Sequence, residues 1–285
     1  MISILTPTRG RPANVRRLIT SVFSTAEQPS QVELLFYVDS DDETFPEEVI
    51  SENIRVVRGP RMWLSVLQNI LYANCRGEIV MYAGDDLEFK TTGWDKRVRQ
   101  VFEDSVDKLL LVYPNDLATH GENMAIHGFL HRNWIEAVGC WVAPGRGSLY
   151  DLWHTDVARK LGRLKYLHDV EIAHVHYRQG AGQADFDETY QYVSAATRSW
   201  VPRITYRKLK RERRIDFILL SEKINGPLKI DYAYFLAEWL VKNRNKFGMR
   251  DLDVRRIKSL GNLEIIPVIA KNILKIMSNR RKKSA

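Results

Sequence analysis

Over roughly its first 115 residues the chain alternates short apolar runs with segments of helical period. The runs Ile2–Leu5, Val32–Val38, Ile54–Val57, Ile79–Tyr82 and Leu109–Tyr113 read as strands. Between them, Pro12–Ser24, Met62–Asn74 and Gly93–Phe102 read as helices. Val15, Leu18, Ile19 and Val22 make the apolar stripe that a helix lays on a sheet. Four of the strands are nearly continuous apolar runs, which predicts burial on both faces. Strand and helix in alternation predict an α/β fold.

From about 115 to 200 the pattern loosens and becomes rich in aromatics and histidine. Pro144-Gly-Arg-Gly-Ser148 is a loop signature, followed by a helix near Leu152–Leu161 and a strand near Leu167–Val175. Past Val201-Pro202 the composition turns basic, with seven Lys/Arg between Arg203 and Arg214. The expected division is residues 1–200 as one α/β domain and 201–285 as a basic, mainly helical region. No internal repeat is evident.

Charge sharpens that division. The formal net charge of +8 conceals 22 Lys+Arg against 8 Asp+Glu in residues 203–285, with the remainder of the chain acidic. An acidic part suits metal and chemistry, and a basic part suits a polyanionic surface. No run reaches the roughly 18 apolar residues of a membrane span. No secretory signal pattern opens the chain, and the two cysteines, Cys75 and Cys140, have no paired spacing. These traits lead us to expect a cytoplasmic protein.

Candidate chemistry gathers where strands end. Thr6-Pro-Thr-Arg-Gly-Arg11 follows the first strand, at the sheet edge where ligands of open α/β folds bind. It has no P-loop or dinucleotide glycine spacing. Tyr37-Val-Asp-Ser-Asp-Asp-Glu43 sets acids at the end of the second strand. There Asp39 could accept a hydrogen bond from a base N–H, although Asp42 and Glu43 also suit a surface turn. Ile79–Tyr82 ends in Gly84-Asp85-Asp86, two carboxylates fit for Mg2+ or Mn2+. In Ala173-His-Val-His-Tyr177, His174 and His176 share one side of a strand. One could bind metal, the other a phosphate or acceptor. Asp151 heads a helix, either as its N-cap or as a general base for an acceptor hydroxyl.

In this order the pieces resemble the GT-A nucleotide-sugar glycosyltransferases, family 2-like, of bacteriophages and bacteria, over roughly residues 1–195. Gly84-Asp85-Asp86 stands in place of the family's Asp-x-Asp. The resemblance implies a GT-A fold, a Rossmann-like mixed sheet flanked by helices, here with a basic helical C-terminal extension. It also implies a sugar transferase using Mn2+ or Mg2+ and a nucleotide-sugar donor, UDP-sugar favoured, with no haem or flavin. Pro7, Thr8, Arg9, Asp39 and Asp41 would then hold the nucleoside, Asp85 the ribose, and Arg61 phosphate. Asp86 and His174 would bind metal, with His176 and Arg178 as acceptor or phosphate contacts. The spacing to Gly162 that the family shows favours Asp151 over Asp156 as base, giving inversion.

The basic residues Arg207, Lys208, Lys210, Arg211, Arg213 and Arg214, with Arg280–Lys283, fit a phosphate backbone. We therefore expect the acceptor to be a hydroxylated base in phage-type DNA. An anionic membrane surface is the alternative, since Val268–Met277 is amphipathic, and the acceptor would then be a lipid-linked or cell-surface glycan. A non-catalytic nucleic-acid-binding protein on the same fold is the third reading.

Overall fold

The computed structural model describes residues 1–117, 121–142, 149–175, 186–191 and 210–225. The chain forms two units, Met1–Ala158 with Arg163–Gly226, and Arg159–Gly162 with Pro227–Ala285. The candidate site lies in the first.

The apolar runs form strands β1 (Ile2–Thr8), β2 (Val32–Asp39), β3 (Ile54–Gly59) and β4 (Ile79–Tyr82). Further strands are β5 (Leu87–Phe89), β6 (Leu111–Asn115), β7 (Gly128–His131) and β8 (Leu164–His174). They lie in the order β3-β2-β1-β4-β7-β6-β8-β5. β1 is central and parallel to both β2 and β4, so all three end at one edge. β7 runs antiparallel to β4, and β5 antiparallel to β8, so the sheet is mixed. The apolar runs alone suggested none of this antiparallel pairing. β5 has three residues and β7 four, too short to show a period.

Helices α1 (Pro12–Thr25), α2 (Leu64–Asn74), α3 (Trp94–Glu103), α4 (Arg132–Val138), α5 (Tyr150–Lys160) and α6 (Lys210–Lys223) complete the described elements. The stripe Val15, Leu18 and Val22 of α1 joins Trp94, Val98 and Phe102 of α3. Together they cover Ile2, Ile4, Leu34, Phe36 and Met81 in one buried cluster. On the other side of β1, α2 buries Leu67 and Leu71, and Gln68 donates to the Leu5 carbonyl (3.3 Å). Among the described residues, helices therefore cover both faces of the sheet around β1.

Two boundaries differ from expectation. Asp151 lies inside the first turn of α5, which begins at Tyr150, and not ahead of it. Helix α6 belongs to the first unit, beyond the compositional break near 200. It is tied there by Asp216, which accepts from Trp153 Nε1 (2.6 Å), and by Arg213, which pairs with Asp156 (3.4 Å).

Candidate active site at the carboxyl edge of the sheet

Topology makes the site. β1, β2 and β4 end side by side, so Thr8, Asp39 and Asp85 become neighbours although far apart in sequence. β7 enters beside the end of β4, with Gly128 opposite Tyr82, which delivers His127 to the same corner. β5 pairs Leu87 with His174, and the Val175 N–H donates to the Asp86 carbonyl (2.7 Å). These pairings bring Asp86, His127 and His174 together, with one donor atom from each lying within 4.8 Å of the others.

The two adjacent acids take separate tasks. Asp86 faces the imidazoles, with His174 Nε2 3.2 Å from its Oδ2, and it accepts a hydrogen bond from Tyr190 Oη (2.8 Å). Burial pushes its carboxyl up, but His174, His127 and Tyr190 outweigh burial and hold it below the carboxylate range. Burial likewise lowers His174, and the Asp86 contact reverses that and raises it. Asp85 turns the other way, accepting from Thr8 Oγ1 (2.7 Å) and from Arg11 (2.9 Å). Its burial, offset only in part by Arg11, raises its carboxyl. The backbone before them has no spare room. A Cβ on Gly84 would stand 2.4 Å from Asp86 Oδ1, so an acid at the first position of an Asp-x-Asp pattern would strike the second carboxylate.

On the β2 side, Arg9 spans Asp39 (3.0 Å) and Asp41 (2.5 Å), and Arg61 Nε lies 3.9 Å from Asp39. Asp39 is almost fully buried and Asp41 exposed. Pro7 sits opposite Tyr37 in the register, one residue before Thr8. Asp42 accepts from the Gly10 N–H (2.8 Å) and fixes the loop that carries Arg9.

Asp151 sits in the first turn of α5. Burial pushes its carboxyl up to about 7, with the Leu152 N–H as a partial offset. The Tyr150 phenol is raised first by burial and then by the charges of both Asp151 and Asp86, so one side chain senses both acids. His154, one turn along α5, stacks on Tyr82 at 5.6 Å, and burial lowers it to about 4. It stays neutral. Asp156 is buried and pairs with Arg213 (3.4 Å).

Of the residues expected in the site, Pro7, Thr8, Arg9, Asp39, Asp41, Arg61, Asp85, Asp86 and His174 lie at or beside the ends of these strands, and Asp151 lies in the first turn of α5. The sequence reading missed His127, Tyr190 and Asp187, and named Arg11 only as the end of the loop after the first strand. His127 is a single histidine before a strand too short to recognise, so only the pairing of β7 with β4 reveals it. Among the expected polyanion contacts, Lys210, Arg211 and Arg214 are exposed on α6. Arg213 is corrected: it is buried, paired with Asp156 and held 5.3 Å from the Trp153 ring centroid, so it does not face a solvent-borne polyanion. His176, Arg178, Arg207 and Lys208 lie outside the described residues, as do Val268–Met277 and Arg280–Lys283.

No protein-family model matches the sequence, and no curated protein matches it. Solved structures match in shape. S. aureus TarS 1–349 in complex with UDP-GlcNAc gives a TM-score of 0.55 at 15% identity, covering 86% of this chain and 72% of that one. GalNAc-T7 with UDP, GalNAc and Mn2+ gives 0.56 at 14%, covering 86% and 57%. The mannosyltransferase PcManGT from Pyrobaculum calidifontis, in complex with GDP-Man and Mn2+, gives 0.49 at 14%, covering 95% and 86%. The chain spans 59% of another TarS 1–349 structure. At these identities the likeness is one of fold, and the fold is GT-A.

Proposed function

We propose that the chain is a metal-dependent glycosyltransferase that moves a sugar from a nucleoside-diphosphate sugar to an acceptor hydroxyl. The observation that carries this reading is the Asp86–His127–His174 cluster, set at the carboxyl edge of a GT-A sheet beside Asp39 and two arginines. One carboxylate oxygen and two imidazoles fit a divalent ion and leave coordination positions for water and phosphate. Imidazole donors favour Mn2+ over Mg2+, which prefers oxygen shells. Bound there, such an ion would stabilise the negative charge that develops on a departing diphosphate. Two structures of similar fold hold UDP-GlcNAc, or UDP with Mn2+, which supports a UDP-sugar as donor.

The remaining roles belong to the chain's own groups. In this reading Asp39 accepts a hydrogen bond from the base, with Pro7, Thr8, Arg9 and Asp41 forming the rim and Arg61 reaching phosphate. Asp85 is held by Thr8 and Arg11 to face the ribose. Asp151 takes the proton of the attacking hydroxyl, and attack opposite the leaving group inverts the anomeric carbon. A carboxyl titrating near 7 is well matched to that task at neutral pH, where positioned proton transfer contributes about 10²–10⁴-fold. The test is thermal unfolding with UDP- and GDP-sugars, with and without Mn2+, followed by transfer assays. A donor in hundred-fold excess over its Kd should stabilise by about 2.7 kcal/mol, and only with the metal present. Indifference to every nucleotide sugar in the presence of Mn2+ would sink the reading.

For the acceptor we favour a hydroxylated base in DNA. The support is the 22 Lys+Arg against 8 Asp+Glu spread over residues 203–285. Such a surface would hold the backbone while a flipped base enters the acidic site. Full-length protein offered duplex DNA and anionic vesicles should bind the DNA with a steep salt slope. Preference for the vesicles would move the acceptor to a membrane glycan.

A further inference from the structure

Three side chains of the short segment Phe186–Gln191 engage the residues to which a donor and its metal are assigned. Asp187 grips Arg11 with both oxygens, at 2.6 Å from Nε and 2.7 Å from Nη2. Thr189 Oγ1 donates to the Arg9 carbonyl (3.0 Å). Tyr190 Oη donates to Asp86 Oδ2, the same oxygen that His174 approaches. The Tyr190 ring also lies 3.9 Å from the Arg11 guanidinium carbon. We infer that this segment is an internal stand-in for the donor's diphosphate and metal, and that Arg11 is the diphosphate-binding cation it occupies. The inference rests on the donor reading above.

The chemistry of each contact supports the substitution. A guanidinium offers one planar fork, which takes a carboxylate or a phosphate in the same bidentate way. Asp187 therefore fills on Arg11 the position that a diphosphate oxygen pair would take. Arg11 keeps its direction without Asp187, because Asp85 still accepts from its Nη1 (2.9 Å). A phenol O–H on Asp86 Oδ2 takes up part of the carboxylate that a cation would coordinate, so Tyr190 and the metal draw on the same carboxylate. Asp187 has a local role as well. Its Oδ1 accepts from the Tyr190 N–H (2.8 Å), as an N-cap does. A cap alone needs no arginine. A full ion pair on an Arg with an 8% exposed side chain is more than capping requires.

The two functions of the segment make opposite predictions. If it only pins the fold, removing Asp187 or Tyr190 Oη loosens the site and weakens ligand binding. If it stands in for the ligand, the same changes tighten it. Isothermal titration of the full-length chain with Mn2+ alone, then with UDP and in parallel GDP at saturating Mn2+, reads both. Y190F should bind Mn2+ severalfold more tightly than wild type. D187N should bind the nucleoside diphosphate about three- to tenfold more tightly, and R11Q at least about tenfold more weakly, with Mn2+ binding little changed. R11K, which keeps the charge but loses the fork, should fall between wild type and R11Q, and matching unfolding temperatures would show that both are folded. The inference is overturned if D187N and Y190F bind no more tightly than wild type, or if R11Q binds the diphosphate equally well. A wild-type chain that binds Mn2+ but neither diphosphate defeats the donor reading and the Arg11 assignment with it. Tyr190 is still judged, by the Mn2+ titration alone.

Discussion

In the proposed reading Asp151 would serve chemistry at a cost to the fold. Its carboxyl has an ordinary value of 3.8 when unfolded and about 7 when folded. The folded state thus binds more protons between those values, so stability falls as pH rises from 3.8 and levels above about 7. Asp151→Asn removes that cost. It should raise stability at pH 8, by up to about 4 kcal/mol, and leave it unchanged below pH 4. The same variant should lose about 10²–10⁴-fold in transfer rate, while the wild-type rate climbs as pH rises through about 7. Chemical denaturation at two pH values and a rate profile check both halves, and a variant that is neither more stable nor slower would remove Asp151 from the role. His127 supplies the second test at this scale. His127→Ala should weaken Mn2+ binding by at least about tenfold, since loss of a ligand costs no less than loss of an outer-shell partner. Acids at strand ends were legible from the sequence because an apolar run broken by Asp is a local signal. His127 was not, because its partner Asp86 is reached only through long-range pairing.

Single elements divide the same way between local and distant causes. α1 was readable to within a residue, since its stripe Val15–Leu18–Val22 repeats at helical spacing and Pro12 sits at its start. What fastens α1 to α3 was not readable. Fully buried Asp95, in the first turn of α3, accepts from the Glu27 and Gln28 N–H groups (2.7 and 3.0 Å) just past α1, and from Arg99 (2.7 Å). Gly93, at φ 74°, turns the chain so that its own N–H reaches the Thr25 carbonyl (2.7 Å). Burial pushes the Asp95 carboxyl up, but these donors together hold it below its ordinary value. Its folded pKa is therefore depressed, and the stability it contributes is fully present above pH 3.8 and lost as pH falls below that, through the lower folded value. Asp95→Ala strands two amides and an arginine, and should cost about 3 kcal/mol at pH 7 and less near pH 3. Urea denaturation at both values checks it; equal losses at the two would mean that the packing of α3, and not the ion pair, carries the junction.

At the scale of the whole chain, the opposition of an acidic part and a basic part was legible from composition, but its boundary was not. The basic run suggested a break near 200, yet α6 belongs with the first unit, because Trp153, Asp156, Arg213 and Asp216 interlock across α5 and α6. A count of arginines cannot tell which are turned inward. This difference gives the DNA reading a test at single-residue resolution. Arg211 and Arg214 are exposed, whereas Arg213 is buried against Asp156 and Trp153. If α6 lies along a phosphate backbone, Arg211→Gln and Arg214→Gln should each weaken duplex binding and lower the slope of log K against log salt by about one. Arg213→Gln should leave that slope unchanged and instead lower the unfolding temperature, since Asp156 would remain buried with its cation removed. Equal effects from all three substitutions would show that α6 touches no nucleic acid, and that the basic excess of the chain acts elsewhere.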